Sequence, residues 1–147
     1  MAKYQIRIAN SGDFPAIKQL INKVQINPTG LDWHHFILAI DETGRMVGCG
    51  QLKPHGGGVI ELASIAVEPL DRKNGVARAV IEYLINKAPR PLYLTCLSSM
   101  GAFYEKCGFR EVKIDEMPHH FHRLVRWVKK EPSCGSISDE LLVIKLM

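Results

Sequence analysis

Arg72-Lys73-Asn74-Gly75-Val76-Ala77 is the stretch whose residue types and spacing most clearly imply chemistry. It separates an apolar run, Glu61-Leu62-Ala63-Ser64-Ile65-Ala66-Val67, from an amphipathic run that ends at Lys87. The apolar run reads as a buried strand, and Pro69 closes it because proline supplies no ladder donor. Val76, Val80 and Leu84 recur every fourth residue, as do Ala77, Ile81 and Ile85, with Arg78 and Glu82 opposite. That spacing predicts a helix with one apolar and one wet face. A strand, a tight loop and a helix start together offer free backbone N–H groups at the positive end of a helix dipole. Such a place suits an anion, and a phosphate best. A plain turn into a helix has the same outline, so the loop by itself decides nothing. It is neither the Gly-Lys-Ser/Thr loop of nucleotide hydrolases nor the three-glycine dinucleotide fingerprint.

Other residues could move protons or hold metals. Glu61 puts a carboxylate in an apolar strand, on the face expected for Ala63, Ile65 and Val67, where it needs water or a partner. It is a candidate general base; a solvent-facing or salt-bridged glutamate is the plainer alternative. Tyr104 carries a phenol, which titrates near ~10 when unperturbed and can act as a general acid. A ring packed in the core with its hydroxyl at the rim is the alternative there. His55-Gly56-Gly57-Gly58 has the look of a lipase oxyanion loop, but no Gly-x-Ser-x-Gly accompanies it, so a hairpin turn is expected. Of His119, His120 and His122, only the first and last have helical ligand spacing, and no acidic partner is evident in the sequence. No metal is expected.

Length and composition bound the rest. A chain of 147 residues with 46% hydrophobic and 23% charged residues fits one soluble domain with a real core, 1–147. The net charge of +4 suits an anionic ligand without requiring one. Basic residues are scattered without interleaved aromatics, which argues against nucleic acid. No run approaches the ~20 apolar residues that cross a bilayer, and Met1–Gln5 has no signal-peptide core, so no membrane partner and a cytoplasmic location are expected. Cys49, Cys96, Cys107 and Cys134 are too far apart for a metal knuckle and read as reduced thiols.

The elements that must position these residues follow from periodicity. Tyr4–Ile8 alternates as a strand does. Ser11-Gly12-Asp13 caps a helix carrying Pro15 in its first turn, with Phe14, Ile17, Leu20, Ile21 and Val24 on one face. Phe36–Ile40 and Met46–Leu52 form a hairpin over Asp41–Gly44, and Gly48 and Gly50 predict close packing. A turn at Pro54–Gly58 leads into the strand at Val59–Val67. Leu92–Thr95 should run parallel to that strand, because a helix joins them. Ser98 or Ser99 caps a short helix to Lys106, which Gly108 stops, and Phe109–Val112 is a strand. Pro118–Lys130 reads as a helix with Phe121, Leu124, Val125 and Val128 on one face, Glu131–Asp139 as a loop and Leu142–Leu146 as a last strand.

Arg72-x-x-Gly75-x-Ala77 preceded by Ile65-Ala66-Val67-x-Pro69, together with Ala102-Phe103-Tyr104-Glu105-Lys106-Cys107-Gly108-Phe109 downstream, resembles the GNAT N-acetyltransferase superfamily as far as about Val112. The resemblance implies an α+β fold: a mixed, mostly antiparallel twisted sheet with a splayed parallel strand pair and flanking helices. It implies acetyl-CoA as co-substrate and a primary amine of a small molecule as acceptor, attacked directly in a ternary complex. The backbone of Ile65, Ala66 and Val67 would hold the pantetheine arm. Arg72, Lys73, Asn74, Gly75, Val76, Ala77 and Arg78 would hold the pyrophosphate, and Tyr104 would return the proton to the departing thiolate. Some family members carry a catalytic glutamate where Glu61 stands; a chain of waters is the rival base. Asp32-Trp33-His34-His35 would border the acceptor. The segment from Asp115 to Lys130 would face the same opening, and Arg123, Arg126, Lys129 and Lys130 would either attract an acceptor carboxylate or lie in solvent. This segment departs from the family pattern, which leaves the acceptor open. Acetylation of protein lysines or N-termini, a non-catalytic acyl-CoA sensor and a homodimeric assembly are further alternatives.

Overall fold

The computed structural model describes residues 4–122 and 141–147. Its strands are β1 (Gln5–Ile8), β2 (Phe36–Ile40), β3 (Met46–His55), β4 (Val59–Val67), β5 (Leu92–Leu97), β6 (Arg110–Glu111) and β7 (Leu141–Leu146). They form a sheet in the order β1-β2-β3-β4-β5-β7-β6. The β1–β2, β2–β3, β5–β7 and β6–β7 ladders are antiparallel, and β4–β5 is parallel. The helices are α1 (Phe14–Lys23), α2 (Val76–Lys87) and α3 (Gly101–Glu105). This is the mixed, mostly antiparallel α+β architecture expected from the sequence, including the parallel pair.

The chain divides into two compact units, Met1–Lys53 with Leu62–Ala88, and Pro54–Glu61 with Pro89–Met147. In the first, α1 turns Ile17, Leu20 and Ile21 onto Phe36, Leu38, Cys49 and Ala66. A 3-10 turn, Ser11–Asp13, leads into that helix and is tied down by a reciprocal cap. Asn10 accepts from the Gly12 amide, and Asp13 accepts from the Asn10 amide and pairs with Arg7. Asn10 thus caps the turn, and Asp13, within the expected Ser11–Asp13, holds the cap position of α1 without a side-chain bond to it. α2 buries Val76, Val80, Ile81 and Leu84, and the wet face keeps an exposed Arg78–Glu82 pair. The glycines of β3 let this helix lie close. A Cβ on Gly50 would fall 2.6 Å from Ile65 Cδ1 and 2.8 Å from Val80 Cγ1; one on Gly48 would fall 2.7 Å from Val76 Cγ1.

In the second unit, Tyr93, Val112, Phe121 and Val143 form the core, with Val59 and Met117 against it. β5 and β7 pair from Leu92↔Leu146 to Leu97↔Leu141. Gly108, at φ +97, turns the chain out of α3 as anticipated.

Several boundaries differ from the sequence reading. β3 continues through His55, so only Gly56–Gly58 makes the turn, with Gly57 and Gly58 at positive φ. A 3-10 turn, Ser98–Met100, precedes α3, and Met100, not a serine, stands at the cap position of that helix. The strand expected at Phe109–Val112 shrinks to the two residues of β6. The rest of the helix expected at Pro118–Lys130, with Arg123, Leu124, Val125, Arg126, Val128, Lys129 and Lys130, falls outside the described residues, as do Cys134 and the stretch expected as a loop, Glu131–Asp139.

Candidate active site

In the first unit, the end of β4 leads through a 3-10 turn, Pro69–Asp71, into the loop and α2. Asp71 is pinned by Arg45 at 2.9 Å, and its amide donates to Glu68 O at 2.9 Å. The backbone then curls through two left-handed residues, Lys73 at φ 69 and Gly75 at φ 83. Gly75 is the residue before the helix, and the Ala79 amide makes the first helical bond to its carbonyl at 3.0 Å. The amides of the preceding turn have no carbonyl in the helix to meet. Arg72, Lys73, Asn74 and Gly75 are exposed, so the positive end of α2 opens toward solvent. A Cβ on Gly75 would touch nothing within 4 Å; what calls for glycine there is the backbone angle, not crowding.

β4 is irregular where it matters. Ser64 sits at φ 57 within the strand, and its hydroxyl accepts from Gln51 Nε2 at 2.8 Å. A left-handed residue interrupts the period-two alternation. The expectation that Glu61 and Ile65 share a face therefore no longer follows from counting. The parallel ladder pairs Ile60 with Leu92 and Glu61 with Tyr93, near the start of both strands. β4 runs on from there to Val67 and β5 to Leu97.

In the second unit, Glu61 is 7% exposed, a buried carboxylate. Its Oε1 lies 2.7 Å from His55 Nε2 and 4.0 Å from His120 Nε2, and its Oε2 accepts from the Thr95 hydroxyl at 3.4 Å. The His55 and His120 rings stack at 3.8 Å, and Phe121 stands edge-on to both. Glu61 therefore does not face solvent: it is buried and paired. His55, Thr95 and His120 were missed as its partners. The sequence reading puts His55 in a turn, yet it and Glu61 stand three residues either side of Gly58, which places them side by side across a hairpin. The histidine cluster does have an acidic neighbour, contrary to expectation: it comes from β4 and meets His120, whereas His119 and His122 approach one another at 5.6 Å between ring centres.

Tyr104 lies in α3, 9% exposed, edge-on to Phe103 and Phe109. Burial, helped by the nearby Cys96 and Cys107 thiols, pushes its phenol up to about 12, so it stays protonated at neutral pH. Cys49, Cys96 and Cys107 are free thiols, and burial pushes Cys49 up to about 12. In the turn at Trp33–His35, Asp32 and His34 are exposed, with the Asp32 carboxylate 2.6 Å from His34 Nδ1, while Trp33 is partly buried against the core. Among the described residues, no helix is long and apolar enough to cross a membrane.

The pattern of the acetyltransferase (GNAT) domain matches residues 32–111, more than half of the chain. The chain belongs to the GNAT acetyltransferases. It is 27% identical over 121 residues to an amino-acid acetyltransferase of Mycobacterium tuberculosis, covering 74% of this chain and 69% of that one. Its fold is similar to N-acetylglutamate synthase from Neisseria gonorrhoeae, solved with coenzyme A and L-arginine (TM-score 0.74, 23% identity), over 99% of this chain. This chain spans about a third, 34%, of that synthase. Rv2747 of Mycobacterium tuberculosis, solved with CoA, is similar over 97% of this chain and 99% of its own (TM-score 0.69, 20% identity).

Proposed function

We propose that this chain transfers an acetyl group from acetyl-CoA to the primary amine of a small molecule, with α-amino acids the first class to try. The observation that carries the reading is the exposed, left-handed loop from Arg72 to Gly75 at the start of α2, inside the matched family region. Its amides suit the coenzyme pyrophosphate, and the backbone of Ile65–Val67, at the end of β4, suits an amide-rich pantetheine arm bound as an added strand. The amino-acid class is supported by the name of the mycobacterial relative.

The chemistry asks little of the protein. Glu61 takes a proton from the acceptor ammonium, and the neutral nitrogen attacks the thioester carbonyl carbon. The tetrahedral intermediate collapses with loss of the sulfur, Tyr104 gives its proton to the thiolate, and the surplus proton on the new amide nitrogen returns through solvent to the phenolate. A phenol at about 12 is a weak acid. The water-poor surroundings that hold its proton also raise the basicity of a thiolate formed beside it, so transfer coincides with charge developing on sulfur. Holding both substrates together supplies much of the remaining rate.

The test is an amine panel headed by α-amino acids, with free CoA thiol as the readout. Thiol release that requires both acetyl-CoA and an amine is expected. Coenzyme binding without release across the panel would leave a sensor, and release only with peptides would leave a protein acetyltransferase. On any active amine, Glu61→Gln and Tyr104→Phe should each slow turnover; full rate in both would remove these two roles while leaving the family intact.

A further inference from the structure

We infer that His55, Glu61 and His120 form a site for a divalent transition metal of the zinc class. The three offer one ligand atom each, all within 4.8 Å of one another. Two imidazoles and a carboxylate, with room left for a water, are a donor set that Zn²⁺ takes readily; Mg²⁺ and Ca²⁺ prefer oxygen alone.

The geometry is close to what an ion needs. Metal–ligand distances of roughly 2.0–2.2 Å in a tetrahedral shell put ligand atoms about 3.4 Å apart. His55 Nε2 and Glu61 Oε1 stand at 2.7 Å and must open slightly; His120 Nε2 and Glu61 Oε1 stand at 4.0 Å and must close slightly. Binding therefore needs the half-buried His55 ring to draw back from Glu61 and the 44% exposed His120 ring to rotate out of its stack on His55, so that both nitrogens converge on the ion. Three features separate this cluster from a chance surface group. Its carboxylate is buried. Its other oxygen accepts from Thr95, which fixes the orientation of the ligating one. Phe121 and Tyr93 pack at 5.5 Å beside it and form an apolar wall. His119 and His122, at helical spacing, have no part in it.

A metal here would compete with the acceptor's proton for the Glu61 carboxylate. Only this inhibitory consequence rests on the proposed function; binding of the ion does not.

The test uses tag-free full chain titrated with CoCl2, without acetyl-CoA or amine, and read by the visible d–d bands of low-coordinate Co²⁺. The expected result is saturation at one ion per chain, with ZnCl2 displacing the colour. His120→Ala, at a half-exposed position, should weaken cobalt binding at least 10-fold with an unchanged circular dichroism spectrum, and His119→Ala should not. Absence of the bands in folded wild-type protein would overturn the site, as would equal affinity in His120→Ala. Because the readout is the metal itself, a chain that binds cobalt but releases no CoA thiol contradicts the enzyme reading alone, and the reverse result contradicts the site alone.

Discussion

Glu61 is buried, and its environment at the residue scale comes from three separate stretches of chain: His55 across a hairpin, Thr95 on β5 and His120 beyond β6. Sequence alone could propose the carboxylate, because a charge in an apolar strand stands out. It could not supply the partners, since two of the three are brought in by long-range packing. Replacing His55 with Ala leaves a buried carboxylate short of a partner. The expected cost is about 1–3 kcal/mol of unfolding free energy, read from urea denaturation. Tyr104 gives a prediction with a sign. Its folded-state pKa is raised to about 12 from 10.0. Between these values the unfolded chain loses the proton and the folded one keeps it. Its contribution to stability is therefore full below pH 10 and is lost as pH rises toward 12. Tyr104→Phe should flatten that part of the stability profile, and should lower kcat by about 100-fold with little change in KM for acetyl-CoA.

The elements were more legible than the contacts. The spacing of Val76, Val80 and Leu84 gave α2 its extent, and Asp41–Gly44 announced the β2–β3 turn. There Asp41 accepts from the Thr43 and Arg45 amides and from the Thr43 hydroxyl, which holds its carboxyl at about 2. That stabilisation is present above the ordinary carboxylate pKa and is lost as pH falls through about 2, so Asp41→Ala should reduce the acid sensitivity of unfolding. Glycine spacing was also informative. Gly50→Ala drives a methyl into Ile65, Val80 and Leu84, and should cost about 1–3 kcal/mol by the same denaturation measurement. What the pattern could not disclose was irregular backbone. Ser64 at φ 57 breaks the alternation of β4, and a 3-10 turn puts Met100 at the cap position of α3; neither feature follows from hydrophobic period.

At the scale of the whole molecule, two motifs lying far apart in sequence made the family readable before any coordinate. The matched region, 32–111, takes in both. The account turns on the loop at the start of α2 seating the diphosphate of a thioester coenzyme. The most direct measurement is heat protection by acetyl-CoA compared with acetyl-pantetheine, which carries the same thioester without the diphosphate. The account predicts that acetyl-CoA raises the melting temperature in a saturable way, by the equivalent of about 2.7 kcal/mol at a hundred times its Kd, and that acetyl-pantetheine at the same concentration raises it far less. Equal protection by the two, or none by acetyl-CoA, would contradict it.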